Sequence, residues 1–455
     1  MPMRRVLPAA IAALIFGSAL MMNMMPRVVA AQSLVPGGAP ATVSATAPMT
    51  DTLTNTVHLP YVAMSAYLYL PMVSRPSPVR FPGPADGATA QSVNAYLTWD
   101  LNAPALVDPT FTVYLEAGNP APSAMLGSGL TRPAVDPPTF ALETTYYWQV
   151  VATGADGISV TSPVWSFTTD GPFTPEDLET MVYVPAGEFQ MGCDVGNPFG
   201  MSCDYDKYHY ELPMHTVLLD AYSIDKYEVT NSQYRACVTA GACQEPRKLR
   251  SRTRDDYFYN AEYDSFPVLY VSNWDARDYC AWAGKRLPTE AEWEKAARGT
   301  IDVRTWPWGN DAMSDCTRMN YDDPNIDDGT NQWCNDDVVQ VGSYPTGASP
   351  YGALDMGGNV FEWVSDLYDV GYYLYSPYYD PTGPGVSRHE WGVDYDETPY
   401  YSIRGGSYRP NWYYSTVSHR HWGHHGDPRG GDDWTEDRPY FRNDQVGFRC
   451  VKDQE

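Results

Sequence analysis

The chain has 455 residues, 43% hydrophobic and 19% charged, enough to bury the cores of two or three domains. Its 56 acidic and 30 basic side chains give a formal charge of −26, most of it carried after residue 170. A chain this acidic is repelled by phosphate backbones and anionic lipid, which argues against a nucleic-acid partner. The one basic run, Arg247, Lys248, Arg250, Arg252 and Arg254, reads as a solvated loop.

At the N-terminus, Arg4 and Arg5 precede an apolar stretch from Val6 to about Met22, and small residues follow at Val29 and Ala31. This pattern predicts an export signal over 1–31, cleaved after Ala31. The stretch is short for a membrane span, although an uncleaved anchor stays open. The mature protein is expected to be secreted or held at the cell surface, without spanning the membrane. Residues 32–80 are rich in Ala, Ser, Thr and Pro and read as a linker. Within them "HLPYVAM" (58–64) and "YLPMVSR" (69–75) resemble each other; no role follows from that.

Residues 81–170 read as all-β. "AYLTWD", "FTVYLEA", "TYYWQVVATG" and "SPVWSFTTD" alternate apolar and polar positions between Gly, Pro, Asp and Asn turns. Trp99, Tyr114, Tyr147, Trp148 and Trp165 are the candidate core aromatics. "TTYYWQVVATG…SPVWSFTT" resembles the last strands of bacterial fibronectin type III modules, which implies a β-sandwich spacer or adhesion module without catalysis.

From Glu176 the texture changes. "VYVPAGEFQMG" is strand-like. Three helices are predicted: 229–241 with Thr230 or Asn231 as cap, 272–284 with Ser272 as cap, and 287–299 with a Thr289/Glu292 capping box. In the last, Trp293, Ala296 and Ala297 share one face. After Gly299 helical periodicity ends, and the chain is loops and short strands rich in Gly, Asp, Asn and Tyr. All eight cysteines lie between Cys193 and Cys450. An even number in an exported chain suggests a disulfide framework.

"MVYVPAGEFQMG", "LPMHTVLLDAYSIDKYEVTNSQYRACV", "PVLYVSNWDARDYCAWAGKRLPTEAEWEKAARG", "WPWGN", "YGALDMGGNVFEWVSD", "IRGGSY" and "VGFRC" follow one another in this order. Together they resemble the formylglycine-generating enzyme (sulfatase-modifying factor) family. The resemblance implies an α+β fold over 176–455. That fold is C-type-lectin-like and loop-rich, with few helices, and is preceded here by the all-β fibronectin type III-like sandwich. Its best-known members oxidise a sulfatase cysteine to formylglycine, using oxygen and a copper ion held by two cysteines; others are iron enzymes or binding proteins. Lys285, Arg286 and Glu290 in "AGKRLPTEAEWE" are read as a structural ion-pair network before an active-site trio.

By the resemblance, Cys280 pairs with Cys450. Fifteen connectivities of the other six then stay open. Short loops favour Cys193–Cys203, Cys237–Cys243 and Cys316–Cys334, which would leave no free thiol. The copper cysteines of the family fall at Pro410 and Ser415, counted from Ser407 of the "GGS" motif. Neither supplies the soft thiolate that holds Cu(I), so copper is not expected. Asp355 and Glu362, with the Gly358 and Val360 carbonyls, match the family's structural calcium site, and hard calcium prefers such oxygen-rich loops. A second calcium would involve Asn320 and the Tyr321 carbonyl, its aspartate being Asp336 or Asp337. His419 and His421 form an H-x-H pair on one side of a strand, followed by His424 and His425; imidazole suits zinc, copper or iron.

Two functions follow. One is a ligand-binding or scaffold protein whose cleft candidates are Ser407, Tyr408, Trp412, Tyr413 and Tyr414, with a glycan or peptide as ligand, since aromatic faces stack on both. Tyr372, Tyr373, Tyr375, Tyr378, Tyr379, Tyr400 and Tyr401 crowd the same region. The other is a metal-dependent oxidoreductase of the family, formylglycine-generating or of a His-ligated iron type, acting on a protein or thiol.

Overall fold

The strands over 97–101, 145–153 and 165–169 alternate buried and more exposed side chains as the sequence pattern requires. The computed structural model describes residues 79–454 except 105, 173, 175–178, 194–209, 302–303, 312–315, 322–333, 390–391, 394–399, 410–411 and 425–443. The segments read as export signal and linker, up to residue 78, and Cys203, Pro410 and His425 therefore lie outside the described residues.

Nine strands come first: β1 Val79–Gly83, β2 Ala88–Gln91, β3 Leu97–Leu101, β4 Thr110–Ala117, β5 Met125–Leu130, β6 Ala134–Val135, β7 Thr145–Thr153, β8 Ser159–Thr161 and β9 Trp165–Thr169. They form a three-stranded sheet, β1-β3-β6, and a larger one ordered β2-β9-β7-β4-β5 with β8 on β7. Trp99 of the first sheet meets Phe111 edge-on at 5.3 Å and Trp148 at 6.4 Å from the second, and Trp148 packs on Trp165. Those three tryptophans are core. Tyr114 and Tyr147 are only half-buried; Tyr147 precedes the buried Trp148 on one strand, so the two point to opposite faces.

The sandwich is packed onto the following domain, both within the unit Val73–Glu455. Its core runs on through Tyr227, Val341, Ala348 and Leu354. Ser92 Oγ donates to the Ser349 carbonyl (2.6 Å), Asn94 Nδ2 to that of Ala348 (2.7 Å) and Tyr96 hydroxyl to that of Arg298 (2.9 Å). Arg304 reaches back to Asp136 at 2.8 Å.

The second domain contains β10 Met181–Val184, β11 Gly187–Met191, β12 His215–Leu219, β13 Tyr222–Asp225, α1 Asn231–Thr239, α2 Asn273–Trp282, α3 Glu290–Arg298, β14 Phe361–Leu367, β15 Arg388–His389, β16 Gly392–Val393, β17 Tyr400–Arg404, β18 His421–His424, β19 Val446–Phe448 and β20 Val451–Asp453. Among the described residues, capping boxes start all three α-helices, at Thr230, Ser272 and Thr289. Gly241, Gly284 and Gly299 follow them with positive φ, the conformation that glycine adopts freely. The central sheet is ordered β18-β17-β14-β19, antiparallel except for the β14–β19 pair. Around it lie β10-β13-β20 and the β11–β12 pair.

Helix α3 is wholly buried, not merely on the Trp293/Ala296/Ala297 face. Its charged residues are paired inside. Glu290 meets Arg404 and Arg420, Glu294 meets Arg298 and Arg404, and Lys295 Nζ donates to the Pro185 and Gly187 carbonyls. A buried charge persists only when paired in this way.

Disulfides join Cys237–Cys243, Cys280–Cys450 and Cys316–Cys334, and Cys193 is also disulfide-bonded. No described cysteine is free. Among the described residues no helix is long and apolar enough to cross a membrane.

Candidate functional site

Strand β17 ends in Gly405 and Gly406, with φ of +89° and +72°. A Cβ on Gly406 would lie 2.3 Å from Ser415 Oγ, and one on Gly405 would lie 3.1 Å from the Trp293 ring. Only glycine fits such a turn. It carries the chain to Ser407, whose hydroxyl donates to Gln445 Oε1 (3.0 Å). Ser407 and Tyr408 are both buried, Tyr408 packing with Tyr257, Leu269 and Val360. A 3-10 turn, Trp412–Ser415, returns beneath them. Ser415 is fully buried, and its Oγ has no hydrogen-bond partner.

Of the tyrosines, Tyr372, Tyr373, Tyr400 and Tyr401 are core, while Tyr375, Tyr378 and Tyr379 are about half exposed. Tyr413 and Tyr414 are half-buried, with rings 4.1 Å apart. Tyr414 packs at 4.8 Å from the His419 ring and 5.6 Å from that of His421. His419 is buried, and its Nδ1 lies 3.0 Å from Glu211 Oε1. Ser418 Oγ donates to the other oxygen of Glu211 (2.9 Å). Burial pushes the Glu211 carboxyl up, but the His419 and Ser418 bonds outweigh it and hold the group below its ordinary range. Sequence reasoning missed Glu211. It sits 208 residues from His419 in "YELPMH", without any periodic signal.

The other expected metal loop is strongly acidic. Asp355 and Asn359 have φ of 57° and 58°, and Gly358 has 83°. A Cβ on Gly358 would strike the Asn320 carbonyl at 2.3 Å, so this loop lies directly against Asn320. Asp355 Oδ2 accepts the Gly342 N–H (2.6 Å). Glu362 accepts from Arg449 and from Trp293 Nε1. Buried Glu228 joins them, one oxygen held by Asn359 and the other without a partner. Burial, then the neighbouring Asp355 and Glu362, push Glu228 well above the carboxylate range. Burial likewise raises Asp355 to about 6. Three carboxylates thus crowd one guanidinium, and the unpartnered oxygen of Glu228 is a donor of the kind a hard cation takes, although among the described residues no three His, Cys, Asp or Glu side chains are gathered as a metal site. Asp337 is tied to Ser251, Thr253 and Arg254, and its carbonyl accepts from Asn320 Nδ2. Tyr321 is buried beside Trp306, Trp308 and Met319.

The two copper positions that the resemblance implies carry no thiolate: Ser415 offers a hydroxyl at the second, and proline occupies the first. Lys285, Arg286 and Glu290 do not converge either. Lys285 pairs with Asp225, Arg286 with Glu292 and Asp453, and Glu290 with Arg404 and Arg420. In the basic run, Arg254 pairs with Asp337 and lies over the Tyr263 and Phe266 rings. A cavity of about 580 Å³, lined by Arg277, Arg286, Thr289, Asp220, Asp380 and Asp453 among others, includes none of the glycine-turn or histidine candidates.

Among the described residues, a loop-rich α+β domain with three short capped helices and a Gly-Gly turn at the end of a central strand defines the class. The family model described as the sulfatase-modifying factor enzyme 1-like domain matches residues 167–454, and the chain belongs to that family. It is 32% identical over 274 residues to the formylglycine-generating enzyme of Streptomyces coelicolor, covering 51% of this chain and 80% of that one. It is 30% identical over 235 residues to the inactive C-alpha-formylglycine-generating enzyme 2 of Bos taurus, covering 42% and 71%. A third relative, the serine/threonine-protein kinase pkn1 of Chlamydia pneumoniae, is 28% identical over 285 residues, covering 60% of this chain. The chain spans only 38% of that kinase's length.

Proposed function

We propose that this chain is an exported ligand-binding or scaffold member of its family, recognising a glycan or peptide, and that it makes no formylglycine. The observation that carries the reading is the donor set at the two copper positions, Pro410 and Ser415. A hydroxyl packed against Gly406 cannot replace a soft thiolate. The relative named as inactive agrees with this reading. The export signal and the disulfides agree with an extracellular setting.

Recognition is supported by aromatic faces held in place. Tyr379 hydroxyl donates to Asp220 (2.8 Å), and Tyr378 hydroxyl donates to Glu188. The Tyr378 carbonyl accepts from the Leu218 N–H, and the N–H of Asp380, next to Tyr379, donates to the Leu218 carbonyl. Rings anchored by their tips and backbone lose little entropy when a ligand stacks on them. Tyr413 and Tyr414 form a second aromatic wall beside the glycine turn.

The deciding experiment incubates the protein with copper, oxygen, reductant and a sulfatase-type cysteine peptide. The peptide mass should stay unchanged. Aldehyde formation that a Ser415 or Tyr414 substitution abolishes would overturn the reading.

A further inference from the structure

We infer that His419 and His421 form an open site for a borderline divalent transition ion, with Glu211 as the carboxylate that orients the first imidazole. This inference does not rest on the ligand reading above.

Three observations carry it. First, His419 Nδ1 is hydrogen-bonded to Glu211 Oε1 at 3.0 Å. That bond fixes the tautomer, so Nε2 presents its lone pair; carboxylates behind metal-binding histidines act in this way. Second, His419 is 4% exposed and its Nε2 has no hydrogen-bond partner. A buried imidazole nitrogen left unsatisfied costs stability unless something binds it. Third, the His421 ring lies 6.2 Å from that of His419, centroid to centroid. An imidazole holds zinc at about 2.0–2.1 Å, so two rings sharing one ion have centroids no more than about 6.5 Å apart. The pair falls inside that limit at its wide-angle end; a tetrahedral ion needs centroids about 5.2 Å apart, so His421 would have to turn inward by about 1 Å.

Among the described residues no third His, Cys, Asp or Glu completes a metal-holding cluster. The ion would therefore keep exchangeable positions for water or for a donor group of a ligand, beneath the walls of Tyr413 and Tyr414. Half-buried His421 places it on the accessible side. Imidazole donors without thiolate select zinc, nickel, copper or cobalt over calcium.

The test titrates chelator-stripped full-length protein with Co2+ in a large excess of Ca2+, following visible d–d absorption. One equivalent should bind. His421→Ala should abolish binding with the melting curve unchanged, His215→Ala should leave it intact, and Glu211→Gln should weaken it about 10–100-fold. No saturable Co2+ binding, or binding that His421→Ala leaves unchanged, would overturn the assignment.

Discussion

Arg449 grips Glu362 with two hydrogen bonds, Nε to Oε2 and Nη2 to Oε1, each 2.7 Å long and both side chains fully buried. The same guanidinium donates to the Asp225, Lys226 and Leu354 carbonyls. It thereby ties the C-terminal "GFRC" segment to the chain after β13 and to the acidic loop before β14. Replacing it with methionine leaves Glu362 uncompensated beside Asp355 and Glu228. Arg449→Met should cost about 3–5 kcal/mol, read as a fall in the urea midpoint. Adding Glu362→Gln should restore part of the loss; no restoration would mean that the carbonyl contacts dominate.

Calcium at the acidic loop predicts a second outcome. Chelation should lower the melting temperature, because a ligand bound only by the folded state adds to its stability. Asp355→Asn should remove that sensitivity. Glu362→Gln is the poorer probe, since its carboxylate also holds Arg449 and the variant is destabilised with or without chelator. A melting curve that does not respond to chelator would count against calcium.

Local grammar made much of the fold readable. Thr230, Ser272 and Thr289 announce their helices because a cap and its partner lie three residues apart, and the glycines after them mark the stops. The sandwich strands are equally legible from alternation. The contacts that organise the interior are not. Arg449 meets Glu362 across 87 residues and Glu211 meets His419 across 208. Pairings at such separations leave no periodic mark on the chain. The full burial of α3 was hidden for a related reason. Glu290, Glu294 and Arg298 look like a solvent face, and only distant Arg404 and Arg420 make their burial tolerable. Docking of the sandwich through Tyr96 and Asn94 depends on backbone carbonyls, which every residue has, so no sequence pattern marks it.

Asp366 gives a pH prediction. Burial, then the neighbouring Glu290, raises its carboxyl to about 8. The folded state therefore keeps this proton over a range where the unfolded chain, with an ordinary carboxyl, has lost it. Its contribution is fully present below about pH 4 and is lost as pH rises toward 8, by up to about 1.4 kcal/mol per pH unit. Asp366→Asn mimics the protonated form and keeps an acceptor for the Glu290 N–H. The variant should gain on the parent protein between pH 5 and 8, by denaturant midpoint. Parallel pH profiles would show that Asp366 is ionised in the fold.

The Cys280–Cys450 bridge joins α2 to the end of the chain across 170 residues, whereas Cys237–Cys243 spans only 6. A cross-link stabilises chiefly by restricting the unfolded chain, and the restriction grows with the logarithm of the loop. On that account Cys280→Ala with Cys450→Ala should cost about 5 kcal/mol, and Cys237→Ala with Cys243→Ala about 2. All four cysteines are buried, so the cavities left behind are similar and the difference reports on loop length. Urea denaturation of both double variants, without reductant, measures it. Equal losses would show that local packing decides the cost of each bridge. Thiol titration of the unfolded, unreduced parent should find no reactive cysteine; two reactive thiols would break the all-paired assignment and return a soft ligand pair to consideration.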